Sequence, residues 1–161
     1  MMYSVREALP ADSEQVVDVL RRSITEVCGP DYDDPAVIDD WLSNKTEANI
    51  HRWIVSASTY SVVCEDDAGV IMGFALTTHE GEIMLCYLLP EALHQGNGRR
   101  MLRALEDFLF ARGRTQVRTT STITARTFYL RNGFVSDGAP IKVGNIDGDF
   151  PLVKQLTPSG R

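Results

Sequence analysis

No run of apolar residues in the chain approaches the ~20 needed for a helix to cross a bilayer, so no membrane-spanning helix and no membrane partner are expected. The opening, MMYSVREALP, is too short and too polar for an export signal, so a cytoplasmic protein is expected. Cysteine is scarce. Cys28, Cys64 and Cys86 are odd in number and far apart, which suits a reducing compartment and excludes a disulfide framework. Cys64 and Cys86 fall in β-like runs and read as buried thiols. His51, His79 and His94 have no ligand spacing, and no metal site is expected. With 16 basic against 22 acidic residues and a net charge of −6, the chain cannot build a broad basic face. A nucleic-acid partner is therefore not expected.

The charge that is present is unevenly placed. Residues 1–50 carry 11 acids and 4 bases, whereas 101–161 carry 5 acids and 9 bases. An acidic and a basic region of this kind suit a cationic and an anionic ligand, although most of these charges are ordinary solvated surface. At 161 residues the chain reads as a single domain, 1–161, large enough to bury a core without staples.

YSVREAL alternates and predicts a first strand. Asp12 followed by Gln15 reads as a capping box, after which Val16, Val17, Leu20, Ile24 and Val27 keep helical spacing up to Gly29-Pro30. Asp34-Pro35 predicts a second helix with Ile38, Trp41 and Leu42 on its apolar stripe, and a short helical piece fits residues 48–57. From Tyr60 the period changes. YSVVCE, VIMGFALTT and EIMLCYLLP read as three strands joined by hairpin turns, the last of them central. A helix carrying Met101, Leu102, Leu105, Phe108 and Leu109 follows and stops at Gly113. QVRTT predicts a strand, TARTFYLRNG a short helix closed by Gly133, and two final strands are expected within 134–156. The expected order is β-α-α-β-β-β-α-β-α-β-β, a mixed α/β fold with helices on both faces of the sheet.

LHQGNGRRML, residues 93–102, stands out as a glycine-rich entry to a helix, where free N–H groups can meet an anion. It is not a dinucleotide fingerprint, since Met101 stands at the third glycine position, nor a P-loop, since Gly-Lys-Ser/Thr is absent. It resembles the acyl-CoA pyrophosphate loop of the GNAT acyltransferase superfamily, Gln/Arg-x-x-Gly-x-Gly/Ala, with Gly96 and Gly98 on the last two fixed positions and Leu93 in place of Gln/Arg. CYLLPE resembles the family's fourth strand. TARTFYLRNGF resembles A-x-x-F-Y-x-x-x-G-F at Ala125, Phe128, Tyr129, Gly133 and Phe134, and Thr122 stands where asparagine is common. The similarity spans roughly residues 2–156, and the Tyr32–Trp41 region resembles a bacterial branch of uncertain substrate.

This resemblance implies a central, mostly antiparallel sheet and acetyl-CoA-dependent transfer of an acetyl group to a primary amine of a small molecule or protein in a ternary complex. The alternative is a non-catalytic acyl-CoA sensor of the same fold. A homodimer is left open. The implied cofactor-binding residues are Leu88, Leu93, His94, Gln95, Gly96, Asn97, Gly98, Arg99, Arg100, Thr122 and Phe128. Backbone amides from His94 to Arg99 would hold the anionic pyrophosphate. The N–H of Leu88 would polarise the thioester carbonyl. Tyr129 would protonate the leaving thiolate, because a phenol stays protonated at neutral pH. Glu82 is the first candidate for the base, ahead of Glu80 and His79. Asp31, Asp33, Asp34, Asp39 and Asp40 could attract an amine, Asp34 being equally a helix cap.

Overall fold

In the computed structural model, which describes residues 2–32, 34–143 and 146–157, thirteen principal elements follow one another. They are β1 (Tyr3–Glu7), α1 (Ser13–Arg22), α2 (Pro35–Leu42), α3 (Glu47–Val55), β2 (Thr59–Asp66), β3 (Ile71–Thr78), β4 (Glu82–Leu88), α4 (Asn97–Ala111), β5 (Gln116–Ser121), α5 (Ile123–Arg131), β6 (Val135–Ser136), β7 (Ile141–Val143) and β8 (Ile146–Gln155). A π-helical turn, Ser23–Cys28, carries α1 onward. The order differs from expectation by counting α3 as a full helix and by closing on three strands rather than two. Thr46 caps α3 by accepting from the Asn49 N–H, and β7 is a three-residue strand beside β8.

The sheet order is β1-β2-β3-β4-β5-β8-β6, with β7 added at β8. Every pairing is antiparallel except β4 with β5. Period-two alternation sorts the core into two layers. Val63, Phe74 and Leu76 pack beneath Val16, Val19, Leu20 and Ile50 of α1 and α3. Their strand neighbours Val62 and Ala75 face the other way, onto Met101, Leu102, Leu105 and Leu109 of α4. Each such side chain, fully buried, stabilises the fold by ~1.5–3 kcal/mol before the entropy of ordering is subtracted.

The capping box expected at Asp12 does not form. Its carboxylate accepts from Leu9 N–H at 2.7 Å and from both ends of the Arg6 guanidinium at 2.9 and 3.0 Å. Gln15 reaches instead to the Ile71 N–H at 3.2 Å. Arg6 and Asp12 thus lock β1 to the start of α1, and the arginine holds the Asp12 carboxyl below its ordinary pKa. Asp34 does cap α2, accepting from the Ala36 N–H at 2.9 Å. Asp33 lies outside the described residues.

Candidate active site

Strands β4 and β5 pair at only two positions, Glu82 with Arg118 and Ile83 with Thr119. Beyond them the strands diverge, and a cleft of about 680 Å³ opens between Met84–Leu88 on one side and Thr119–Thr122 on the other. Two local features aim β4 into this opening. The register against β3 jumps from Thr77↔Ile83 to Leu76↔Leu85, so Met84 is an extra, bulged residue. The Leu89 N–H donates to Met72 O at 2.8 Å, which makes every second residue back along β4 a partner of β3. By the antiparallel alternation, the backbone groups of Cys86 and Leu88 point away from β3 and into the cleft.

The floor of the cleft is Tyr129, only 4% exposed. Helix α5 presents it because Thr122 caps the first turn, accepting from the Ala125 N–H at 3.2 Å. At the other end Gly133, at φ +95°, closes the helix. Phe128 and Phe134 clamp the tyrosine ring edge-on, with centroids 5.2 and 5.1 Å away. Its hydroxyl neighbours the Cys86 and Thr119 side chains, whose polar groups act on it. Burial holds the phenol well above the ordinary tyrosine range, and the same burial pushes the Cys86 thiol up to about 12. A proton donor, not an anion, therefore sits at this point.

The mouth of the cleft is the glycine loop. Gly96 stands at φ +82°, a left-handed conformation that L side chains rarely adopt, and starts α4 as its N-cap. Gly98 is needed for a different reason: a Cβ there would stand 3.0 Å from the Phe128 ring and 3.6 Å from Leu88. Asn97 is buried and braces the loop, donating to Ala92 O at 3.0 Å and accepting from Arg100 at 2.6 Å. Arg100 also donates to Gln95 O at 3.2 Å. Leu93, His94, Gly96, Asn97, Gly98 and Arg99 line the cleft together with Leu88, Thr122, Phe128 and Tyr129. Gln95 is exposed and donates to Glu91 O at 3.0 Å.

The candidate bases fall elsewhere. Glu82 belongs to the closed end of the β4–β5 pair, 3.6 Å from Arg118, and does not line the cleft. It was read by its position at a strand start, but the opening lies at the opposite end of that strand. Glu80 lies in the turn before β4, and His79 packs on Phe108 at 5.3 Å, both outside the cleft lining. Arg100 braces the loop rather than facing the cleft, and the Thr122 hydroxyl is engaged as a helix cap. Among the acids, Asp31 accepts from Thr124 at 2.6 Å, while Asp39 and Asp40 are exposed.

Several residues on the side of the sheet opposite α4, of which Tyr87 lines the cleft and the others lie behind it, were not singled out as site residues. Tyr87 lines it and accepts from Trp41 Nε1 at 3.1 Å, and Tyr32 stacks edge-on against Trp41 at 5.4 Å. Asp149 is 4% exposed, and its Oδ1 has no hydrogen-bond partner among the described residues. An acid between Gly148 and Phe150 in a strand was the available signal. Among the described residues, no group of three His, Cys, Asp or Glu side chains is placed to hold a metal, and no helix is long and apolar enough to cross a membrane.

The same architecture occurs in solved proteins. A GCN5-related N-acetyltransferase from Rhodopseudomonas palustris superposes with a TM-score of 0.86 at 20% identity, covering 97% of both chains. The PaiA N-acetyltransferase from Thermoplasma acidophilum, solved with coenzyme A, gives 0.83 at 21% identity over 97% of this chain and 100% of its own. An aminoglycoside 6′-acetyltransferase type Ii gives 0.71 at 16% identity over 98% and 99%. At these identities the likeness is one of fold. No curated protein sequence matches the chain. Residues 28–149, from the π-helical turn to β8, match the acetyltransferase (GNAT) domain family, and the chain is an acyltransferase belonging to that family.

Proposed function

We propose that this protein transfers an acetyl group from acetyl-CoA to a primary amine by direct attack in a ternary complex. The observation that carries the reading is the divergence of β4 from β5 with a buried phenol at its floor. Acetyl-CoA, when bound, supplies an activated thioester and a thiol leaving group. The chain offers matching groups for each part. Helix α4 begins at Gly96 with unpaired N–H groups and a positive dipole end, worth ~0.3–1 kcal/mol toward an anion when exposed. Arg99, which lines the cleft, adds charge. The Cys86 and Leu88 backbone groups serve an extended amide-bearing arm, and the Leu88 N–H is the candidate donor to a developing oxyanion. Tyr129 holds a proton for the leaving sulfur.

The titration behaviour of Tyr129 supports that role. An acid whose pKa is raised keeps its proton to higher pH, so this group causes no fall in rate below pH 10. The deciding experiment incubates the protein with acetyl-CoA and a panel of alkyl- and arylamines and measures thiol release with mass detection of the acetylated product. Amine-dependent thiol release with matching product is expected. Tight acetyl-CoA binding without transfer to any amine would instead favour a sensor.

A further inference from the structure

Asp149 is the described buried carboxylate oxygen left without a partner, and its location is specific. Strand β8 pairs with β5 through Ser121↔Phe150, so Asp149 stands one residue further, level with Thr122 at the cleft wall. Arg126 of α5 lies over the Phe150 ring at 4.3 Å, which fixes Phe150 on the α5 face. Alternation then turns Asp149 to the opposite face, the side of α1 and α2. There its charge acts on the phenols of Tyr87 and Tyr32.

These aromatics form a connected wall. Trp41 lies between Tyr32 and Tyr87, with centroids 5.4 and 6.5 Å away. The Ile123 N–H donates to Tyr32 Oη at 3.1 Å and Thr124 donates to Asp31 at 2.6 Å, so the 31–32 segment is pinned to the start of α5. A buried carboxylate with no cation beside it among the described residues costs free energy that a purely structural site would avoid. Its pKa is raised by that burial to about 6, which still leaves it ionised at neutral pH.

We propose that Asp149 recognises the acceptor: it pairs with the ammonium group of a slender alkylamine whose carbon chain lies against Tyr32, Trp41 and Tyr87. This rests on the acyl-transfer reading of the cleft, with the acceptor entering from the face opposite α4. A cation beside three aromatic rings gains from their negative faces as well as from the carboxylate. Asp149 is a recognition residue here and takes no proton. The captured ammonium loses one proton to water, and the free amine attacks the thioester carbonyl. As the C–S bond breaks, the sulfur leaves with the Tyr129 proton, which the amine nitrogen's second proton replaces.

The test has a binding arm independent of turnover. Butylammonium is titrated into the protein while the Trp41 contribution to fluorescence is followed, with Trp41→Phe subtracting the signal of Trp53. Saturable binding is expected, and Asp149→Asn, of the same shape but uncharged, should weaken it about 10- to 100-fold. Binding of acetyl-CoA should be unchanged. In the transfer assay, the variant should raise KM for alkylamines and leave an arylamine, neutral at pH 7.5, unaffected. The wild type provides a control that needs no variant: butylammonium should raise its melting temperature and 1-butanol should not. Equal affinity in the Asn variant, a lower melting temperature for that variant, or equal protection by 1-butanol overturns the proposal. Butylammonium binding that depends on Asp149 without transfer to any amine upholds the recognition site and refutes the catalytic reading.

Discussion

Replacing Tyr129 by phenylalanine removes one oxygen and nothing else from the cleft floor. The ring keeps its edge contacts with Phe128 and Phe134 at 5.2 and 5.1 Å, so packing is conserved. The lost hydroxyl contacts with Cys86 and Thr119 change stability by about 1 kcal/mol, roughly 2–4 °C in melting temperature for a domain of this size. A positioned acid contributes ~10²–10⁴-fold to its step, or about 2.7–5.4 kcal/mol at 1.36 kcal/mol per tenfold. The chemical step should therefore slow far more than the fold weakens. Steady-state rates do not suffice, since product release can limit turnover. Single-turnover quench with saturating acceptor isolates the step. The defect should shrink with an acyl donor whose leaving thiol is more acidic, because that thiolate needs less help from an acid. Full single-turnover activity in Tyr129→Phe would refute the assignment, leaving Tyr129 as a core aromatic.

Gly98→Val should weaken acetyl-CoA binding in calorimetry, since its Cβ meets the Phe128 ring at 3.0 Å and Phe128 must move into the cleft. Gly81→Ala combines φ +101° with a Cβ 2.9 Å from Gln116 O, a backbone atom that no rotamer relieves. It should lower both the melting temperature and the acetyl-CoA affinity, whereas Gly69→Ala, at φ +80° in open space, should cost only the ~1–2 kcal/mol of its conformation. Lys154→Ala breaks a pair in which Glu106 is 2% exposed and the ammonium donates to both carboxylate oxygens at 2.9 and 3.1 Å. About 3 kcal/mol of stability should be lost in denaturant unfolding, the low end for a buried pair because Lys154 is partly exposed.

Local patterns made most of the fold legible. The stripe Val16, Leu20, Ile24 is fully buried as its spacing implies, and Asp34 caps the helix it precedes. Gly96 shows the left-handed backbone that a glycine at a helix entry suggests. What stayed hidden depends on partners distant in sequence. Gly98 is dictated by Phe128, thirty residues on, and nothing local distinguishes it from Gly96. Glu82 sits at a strand start, which the sequence reveals. Which end of that strand opens depends on where β5 stops pairing with it, after Ile83 and Thr119, and β5 lies more than thirty residues further along the chain than Glu82. The aromatic wall was equally non-local, drawing Tyr32, Trp41 and Tyr87 from three segments.

The cleft follows from how unequally the strands are joined. Strand β4 is paired with β3 along its length, and β5 with β8 at six consecutive positions, but β4 and β5 share only two. The sheet is thus two well-bonded halves meeting at one parallel joint, whose apex is fastened by the Arg118 N–H donating to Gly81 O at 2.7 Å. Backbone groups left unpaired in a buried place carry a large cost, so the facing edges of β4 and β5 must meet water or a ligand. A ligand that satisfies them must itself be extended and carry amides at strand-like spacing. That requirement comes from the topology before any catalytic side chain is considered. The bulge at Met84 adds direction, because it places Ile83 and Cys86 on the same face and brings the Cys86 and Leu88 backbone to the level of Tyr129. A shift of the joint by one residue would move the opening away from Tyr129, so the phenol and the divergence are useful only at this register.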